Sequence, residues 1–193
     1  MNYEQIIRNI ENNYCSLPTE CKVELQLNSK ILTLDKETIL VKEGQIADKT
    51  YFIANGCARA YYLKDGKDIT DWFAFENDFI NSINSYFQKV NSHHYIEVLE
   101  PSIILEISRD LATKLSKKFI EFDRLEKSAI TKTMLQLQQR IVSIQFENAQ
   151  QKYQNLLKAR LDITQRVPLT HVASFLGITL ETLSRIRNPK NFI

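Results

Sequence analysis

Residues 169–187 read LTHVASFLGITLETLSRIR, a stretch with the spacing of two short helices joined by a tight turn. Val172 and Leu176 lie one turn apart on the inner side of the first predicted helix, and Leu183 has the same place in the second. Gly177 falls between the two helices, where glycine adopts the left-handed conformation that ends a helix without steric cost. The stretch therefore predicts a helix-turn-helix.

The second predicted helix carries a polar and basic outer face. The Thr179 hydroxyl is placed to cap its first turn. A helix with such a face is typical of those that enter the major groove of DNA. The candidate DNA-binding residues are Thr179, Glu181, Thr182, Ser184, Arg185, Arg187 and Lys190. The alternative is a helical hairpin that has no role in nucleic-acid binding.

The charge of the chain is uneven along its 193 residues, although its formal net charge is only +2. Residues 148–193 contain seven basic and two acidic side chains, which gives +5 there and leaves −3 for residues 1–147. A basic segment beside a slightly acidic body favours an anionic partner at one end of the molecule. Together with the motif, this predicts double-stranded DNA as a partner.

From Ile31 to Ile107 the sequence consists of short runs rich in β-branched and aromatic residues. Seven such runs follow one another at intervals of roughly 8–12 residues, which is typical of a β-sandwich or jelly roll. The dipeptides Asn55-Gly56 and Asp65-Gly66 separate successive runs and are strong hairpin signals. We therefore predict a jelly-roll β-barrel in the N-terminal part of the chain.

Beyond Ser108 the pattern becomes helical up to about Arg160, and one part of it has a heptad-like apolar stripe. Leu135 and Val142 form a second stripe beside the first. We expect one stripe to meet the same helix of a second copy and the other to meet the barrel. The alternative is a helix packed only on its own β domain. The residues predicted at the dimer interface are Ile130, Met134, Leu137, Ile141 and Ile144.

Several classes of protein are excluded by what the sequence contains. Three cysteines do not suit a disulfide framework, and no apolar run is long enough for a membrane span or a signal peptide. We therefore expect a cytoplasmic protein without a membrane partner. Three histidines, two of them adjacent, cannot supply the metal site of a cupin-like enzyme. Without a nucleophilic triad or a nucleotide-binding loop, the sequence predicts a non-enzyme that has no catalytic residues, no metal and no cofactor.

These patterns define an α+β chain with three parts. The predicted parts are a β-roll sensor domain with flanking helices at 1–119, a dimerisation helix at 120–147 and a helix-turn-helix DNA-binding domain at 148–193. This order of elements, with the stretch LGITLETLSRIR, resembles the Crp/Fnr family of transcription regulators. The resemblance implies a homodimeric regulator, for which RNA polymerase is a further candidate partner.

The recognition helix of that family commonly reads Ser-Arg-Glu-Thr, followed two residues later by Arg. The similar stretch here is Thr179-Leu180-Glu181-Thr182, followed by Arg185. The resemblance implies that Glu181 accepts from a cytosine amino group and that Arg185 reaches a guanine edge, which also agrees with the pairing geometry. Leu180 replaces the first arginine of the family motif, so the preferred operator should differ.

The sensor part departs from the family where cyclic nucleotides bind. Residues 77–83 read NDFINSI and residues 92–94 read SHH, whereas the family has Gly-Asp-Phe-Ile-Gly-Glu-Leu and then Arg-Ser-Ala. Without the arginine, a buried phosphate has no cationic partner, so we predict that cyclic AMP does not bind. The candidate pocket residues for an unknown small-molecule effector are Asn81, Ser82, Ile83, Ser92 and His93. The alternative function is a signalling module that binds another small ligand or a protein instead of DNA.

Overall fold

The computed structural model of the chain describes residues 1–188. Two helices, α1 and α2, precede the sheets, α3 lies between two strands, and six helices follow the last strand. The strands are β1 (Lys30–Leu34), β2 (Ile39–Val41), β3 (Lys49–Asn55), β4 (Ala58–Lys64), β5 (Lys67–Ala74), β6 (Phe79–Ile80), β7 (Tyr95–Val98) and β8 (Ser102–Ser108). The helices are α1 (Tyr3–Asn13), α2 (Thr19–Asn28), α3 (Ile83–Gln88), α4 (Arg109–Lys118), α5 (Ile120–Phe146), α6 (Ala149–Ala159), α7 (Ile163–Arg166), α8 (Leu169–Leu176) and α9 (Leu180–Arg187).

The strands form two antiparallel sheets of four strands each, in the orders β1-β8-β3-β6 and β2-β7-β4-β5. The predicted jelly-roll β-barrel is confirmed as a β-roll of two sheets, but it is not a closed barrel, because the two sheets share no strand. Closure requires long edge strands, whereas the edge strand β6 has two residues and the edge strand β2 has three. The fold is a mixed α+β arrangement with a β-roll and one long helix.

Each of the seven predicted β runs forms a strand whose ends lie within two residues of the predicted ones. The predicted hairpin turn at Asn55-Gly56 is present. Gly56 has a φ of +98° in the turn between β3 and β4. A Cβ atom built at Gly56 would lie 2.2 Å from the Ser102 hydroxyl oxygen, so the turn needs glycine for space as well as for conformation. The short elements β6 and α3 are additions to the prediction.

The space between the two sheets is filled by side chains. Ala58, Ala60 and Ala74 line the inner face of β4 and β5, and their small size lets the larger Tyr51 and Ile53 of the facing sheet pack against them. All five residues are at most 3% exposed. Burial of such apolar surface stabilises the sandwich by about 25 cal/mol per Å². The interior of the β-roll is therefore a packed core.

A second core joins the N-terminal helices to the start of the long helix. Ile6 and Leu25 from α1 and α2 meet Phe52 of β3, Leu115 of α4 and Phe122 of α5. Asn2 and Gln5 form a reciprocal capping box at the start of α1. The first turns of α5 are thereby fixed to the β-roll.

A third core joins the C-terminal helices to the end of the β-roll. Cys57 and Phe75 from the β-roll pack with Ile163, Val172 and Leu183. The helix α8 lies against β5, and α9 packs on α6 and α8. The C-terminal helices and the β-roll therefore share one continuous apolar core.

Candidate nucleic-acid interface and ligand sites

The helices α8 and α9 form a pair joined by a tight turn at Gly177. Val172, Ala173 and Leu183 are at most 3% exposed and face one another across the turn. Gly177 has a φ of +66°, and the Ile178 amide donates to the Ala173 carbonyl at 3.1 Å, which closes the end of α8. The small side chain of Ala173 lies where the two helices meet.

Two of the candidate DNA-binding residues form the cap of α9. The Thr179 hydroxyl accepts from the Thr182 amide at 3.1 Å and lies 3.1 Å from the Thr182 hydroxyl. Thr182 is half-buried, whereas Glu181, Ser184 and Arg185 are exposed. The backbone amide of Glu181 and the Thr179 hydroxyl lower the pKa of the Glu181 carboxyl, so it is ionised at neutral pH. Ser184 and Arg185 are thus exposed residues that take no part in the cap, whereas Thr179 is exposed and also caps the helix.

The outer face of α9 is open to solvent along its length. Arg185 and Arg187 are exposed, and within residues 1–188 neither forms an ion pair. Leu180, at the start of the helix, is 41% exposed. Lys190, the last candidate DNA contact, lies outside the described residues. The face combines two unpaired guanidinium groups with one carboxylate and one apolar side chain.

Two of the basic residues that contribute to the C-terminal charge point toward the β-roll instead. Arg166 donates to Glu76 at 3.0 Å, to Glu100 at 3.1 Å and to Asp162 at 2.9 Å. Arg160 donates to the same Glu76 at 3.1 Å. These five residues form one charge cluster, which we call the Arg166 cluster. The cluster joins α7 to two loops of the β-roll and is not available to an outside anion.

The electrostatics of the Arg166 cluster depend on Glu76. Partial burial alone would raise the pKa of this carboxyl, but hydrogen bonds from Arg166 and from the amides of Glu76 and Gly56 outweigh burial and lower the pKa to about 2. The Gly56 amide donates to Glu76 at 3.0 Å. Arg160 also lies 3.8 Å above the Phe75 ring. Glu76 is therefore ionised whenever the protein is folded near neutral pH.

Contacts between β5 and α8 were not predicted from the sequence. The Ser174 hydroxyl accepts from the Thr70 amide at 2.9 Å and donates to the Asp68 carbonyl at 3.1 Å. The rings of Phe73 and Phe175 pack with their centroids 5.2 Å apart. The helix-turn-helix motif assigns no role to Ser174 or Phe175. Only their polar and aromatic side chains indicated that this side of α8 contacts another element.

Beneath α8 lies a buried charge network on the outer face of the sheet that contains β4. Arg59, 4% exposed, donates to Glu97 at 3.0 Å and to Asp68 at 2.7 Å. His171 of α8 is near the same Asp68, at 3.8 Å. Burial, followed by the charge of Arg59, lowers the pKa of His171 to about 4. His171 is neutral at physiological pH and forms part of this interface.

The predicted pocket residues divide among three places. Ser82 and Ser92 are at most 1% exposed, and their hydroxyl oxygens lie 2.8 Å apart. Ser92 also donates to the His94 carbonyl at 2.8 Å, so both hydroxyl groups are satisfied internally. His93 is exposed. Asn81 and Ile83 line a groove between α3 and α5. The five residues therefore do not surround one cavity.

The two segments that resemble the phosphate-binding motif of the family meet at this serine pair, whose hydroxyl groups bond each other. The nearest core residues, Ile80 and Ile96, are fully packed. Arg59, the one buried arginine of this sheet, is neutralised by Glu97 and Asp68 on the outer face. The residues present do not fit a cyclic nucleotide, because they offer its phosphate neither space nor a cation.

A groove of about 400 Å³ separates α3 from α5. Its floor is formed by Ile107, Ala112 and Phe122, and its two walls carry Ile83 and Ala129. A wider cleft of about 780 Å³ lies between the second half of α5, the strand β5 and the helices α6 and α8. Both cavities have α5 as a wall.

The apolar stripes of α5 are exposed in the single chain. Met134 is 58% exposed and Ile141 55%, and Leu135 of the second stripe is 52% exposed. The later turns of α5 bind the β-roll through polar contacts: Lys132 lies 2.6 Å from Asp78, and Arg140 donates to Asp71 at 3.0 Å and to the Thr70 carbonyl at 3.1 Å. The predicted interface residues, Ile130, Met134, Leu137, Ile141 and Ile144, thus belong to a face that the chain itself leaves largely uncovered.

The cysteines lie in the apolar cores. Cys57 is fully buried, and burial raises the pKa of its thiol to about 12. Burial likewise raises the pKa of Cys21 to about 11. Because a thiolate is the reactive form, neither side chain has the properties of a redox-sensing cysteine. Cys57 acts as a small hydrophobic residue of the third core.

The described part of the chain contains neither a cluster of metal ligands nor a helix that could span a membrane. Within residues 1–188, no group of three or more His, Cys, Asp or Glu side chains could hold a metal ion. None of the helices described has the length and apolar character that a membrane span requires.

Comparison with known proteins relates this fold to a family. Residues 31–119 match the cyclic nucleotide-binding domain family. The sequence has no significant match among curated proteins.

Among solved structures, a Crp/Fnr-family protein from Eubacterium rectale has a TM-score of 0.71 at 17% identity, over 91% of this chain and 84% of that one. FixK2 from Bradyrhizobium japonicum has a TM-score of 0.70 at 17% identity, over 84% of each chain. The c-di-GMP-responsive global regulator CLP of Xanthomonas campestris has a TM-score of 0.69 at 12% identity, over 90% of this chain and 92% of that one. Residues 31–119 therefore match the cyclic nucleotide-binding domain family, and the chain as a whole has the fold of Crp/Fnr-family structures.

Proposed function

We propose that the protein is a homodimeric, sequence-specific DNA-binding transcription regulator of the Crp/Fnr type that does not respond to cyclic AMP. The observation that carries the proposal is the outer face of α9, where Arg185 and Arg187 are exposed and unpaired within the described residues. In this proposal the sensor domain is 1–119, the dimerisation helix 120–147 and the DNA-binding domain 148–193.

The charges of the C-terminal part support one face of α9 as the DNA-binding surface. Arg160 and Arg166 are neutralised inside the molecule, so they do not compete for phosphates. The cations that remain exposed on α9 are Arg185 and Arg187. A guanidinium at Arg185 can donate to both acceptors of a guanine, and the ionised Glu181 can accept from a cytosine amino group. We assign a supporting phosphate contact to Lys190.

The uncovered face of α5 supports the dimer. Burial of apolar side chains such as Met134 and Ile141 against a second copy would remove from water a surface that a monomer seldom exposes. A two-fold axis along α5 presents two copies of α9, which matches half-sites about one helical turn apart. The expected operator is an imperfect palindrome.

The experiment is selection of binding sites from random duplexes with the wild type and three variants. Arg185→Ala should lower affinity by about 1–3 kcal/mol per half-site and relax the preference at one base pair. Lys190→Ala should weaken binding to all sequences and reduce the salt dependence. Arg8→Ala makes the same change as Arg185→Ala on the exposed side of α1 and should alter neither.

Failure of the wild type to enrich a palindrome, with or without cell extract, would contradict DNA recognition. One observation favours a second function in that case. Leu180 is an exposed apolar side chain at the start of α9, and such a side chain suits a protein surface better than a DNA backbone. The chain would then be a signalling module that binds a protein.

A further inference from the structure

The outer edge of β5 receives contacts from two helices. β5 is the last strand of its sheet, and no strand within residues 1–188 pairs with its outer side. The unpaired backbone groups of such an edge need other partners. Here α8 and α5 supply them at residues 68–71, which we call the β5 edge.

One hydroxyl group of α8 takes the place of a neighbouring strand. The Ser174 hydroxyl accepts from the Thr70 amide at 2.9 Å and donates to the Asp68 carbonyl at 3.1 Å. These two backbone groups point to the same side of β5, where another strand would otherwise bond them. The two bonds hold α8 at one position along β5, because a shift by one residue, about 3.3 Å, breaks both of them.

Arg140 of α5 binds the same edge. It donates to the Thr70 carbonyl at 3.1 Å and to the Asp71 carboxylate at 3.0 Å. Asp71 lies at a β-bulge, where the register between β4 and β5 shifts between Ala60 and Tyr61. A bulge changes the direction of the side chains beside it, and here the Asp71 carboxylate meets Arg140. α5 is thereby fixed along the same strand as α8.

Ser174 also fixes the direction of α8. The Arg166 cluster holds the chain just before this helix, and a helix held only at that end could still pivot. The apolar contacts of the third core do not prevent such a pivot, because they have no preferred direction. Ser174 lies near the other end of α8, so its two bonds remove that freedom. Because α9 packs on α8, it takes the same direction.

We propose that the β5 edge sets the distance between the two recognition helices of the dimer, with Ser174 and Arg140 as the positioning residues that determine which half-site spacing the protein binds. The inference rests on the proposed function for the dimer and for DNA. The two-fold axis runs along α5 in that proposal, so the offset between α5 and α8 enters twice. A slip of one residue along β5 in each copy changes the separation by up to roughly 7 Å, or about two base pairs.

The first test measures the separation without DNA. A nitroxide spin label is attached at Thr170→Cys, an exposed position of α8, in a chain whose half-buried Cys15 is replaced by Ser; the other two cysteines are buried. Double electron–electron resonance of the wild-type dimer should give one narrow distance. Ser174→Ala should shift or broaden this distance by about 3 Å or more, and Arg140→Met should do the same from the side of α5.

Two matched variants are the controls for this measurement. Ser16→Ala makes the same change as Ser174→Ala in the exposed loop between α1 and α2. Arg124→Met makes the same change as Arg140→Met at an exposed position of α5. Both controls should keep the wild-type distance, and circular dichroism checks that every variant retains its helices.

The second test measures the preferred spacing on DNA. The palindrome from the duplex selection is rebuilt with its half-sites moved closer or further apart by one and by two base pairs. The wild type should lose affinity by about tenfold or more at the wrong spacings. Ser174→Ala and Arg140→Met should vary by about twofold or less across the series and should bind a single half-site as the wild type does, because the outer face of α9 is unchanged. A purely structural role would instead weaken binding to the single half-site as well.

Two results would overturn the proposal. A Ser174→Ala dimer with the narrow wild-type distance would mean that other contacts position α8. An altered distance together with the wild-type spacing preference would mean that the β5 edge does not determine the operator. Failure of the wild type to select any palindrome would contradict the proposed function, and the spin-label distances would still decide whether the β5 edge positions α8.

Discussion

Replacement of Arg166 by methionine should destabilise the protein in a pH-dependent way. The substitution keeps most of the side-chain length but removes the cation that Glu76, Glu100 and Asp162 share. Glu76 and Glu100, whose side chains are 28% and 27% exposed, would be left close together without that cation. Partly buried carboxylates without a cation are costly, and like charges add to the cost.

The magnitude follows from the pKa of Glu76. A fall from 4.5 to about 2 corresponds to about 3 kcal/mol of stability at neutral pH, at about 1.4 kcal/mol per pKa unit. Solvent screening reduces this figure, and both Arg160 and the Gly56 amide still donate to Glu76 in the variant. We therefore expect Arg166→Met to lower the free energy of unfolding by about 2 kcal/mol at pH 7.

The pH dependence has a definite sign. Because the pKa of Glu76 is lower in the folded than in the unfolded state, its contribution is complete above about pH 4.5 and is lost as the pH falls toward about 2. Wild type and variant should therefore differ most at neutral pH, approach each other below about pH 4.5 and converge near pH 2. Urea unfolding, followed by circular dichroism and by the fluorescence of the single Trp72, measures this difference.

Arg187→Met is the matched control, because Arg187 is exposed and has no ion-pair partner within residues 1–188. It should change the free energy of unfolding by less than about 0.5 kcal/mol. A loss for Arg166→Met no larger than that of the control, or a loss that stays constant between pH 7 and pH 3, would refute the reasoning.

Further predictions follow from other parts of the structure. The double change Leu137→Asp and Ile141→Asp should yield monomers in sedimentation velocity, and a wild type that is monomeric at micromolar concentration would disprove the dimer. Cyclic AMP and cyclic GMP should leave the melting temperature unchanged; a ligand at 100 times its dissociation constant would add about 2.7 kcal/mol, so a shift of several degrees would contradict the closed Ser82–Ser92 pair. Gly56→Ala should cost about 2 kcal/mol or more in urea unfolding, since its Cβ would meet the Ser102 hydroxyl oxygen at 2.2 Å; Gly66→Ala, with open space around it, should cost less.

The part of the fold that is encoded locally could be predicted from the sequence. The hairpin between β4 and β5 follows from Asp65-Gly66, and the turn of the helix pair follows from Gly177 and its apolar neighbours. Each of these features depends on residues within a few positions of one another. The cap of α9 by Thr179 belongs to the same group.

Features that depend on distant residues were missed. Arg166 and Glu76 are 90 positions apart, so the charge count treated Arg166 as free although it is neutralised. Ser174 and Thr70 are 104 positions apart, and no local pattern relates them. That the two sheets do not close into a barrel was missed for the same reason. Closure depends on whether the edge strands meet, and not on the pattern within any one strand.

The burial of Cys57 makes the docking of the C-terminal helices measurable by thiol labelling. Its sulfur lies in the core shared with Ile163 and Val172, whereas Cys15 and Cys21 belong to the region around the N-terminal helices. A reagent can reach Cys57 only when that shared core opens, so its rate of modification reports the opening equilibrium of one interface. Without any introduced label, the three thiols of this chain thus distinguish separation of the C-terminal helices from unfolding of the N-terminal end.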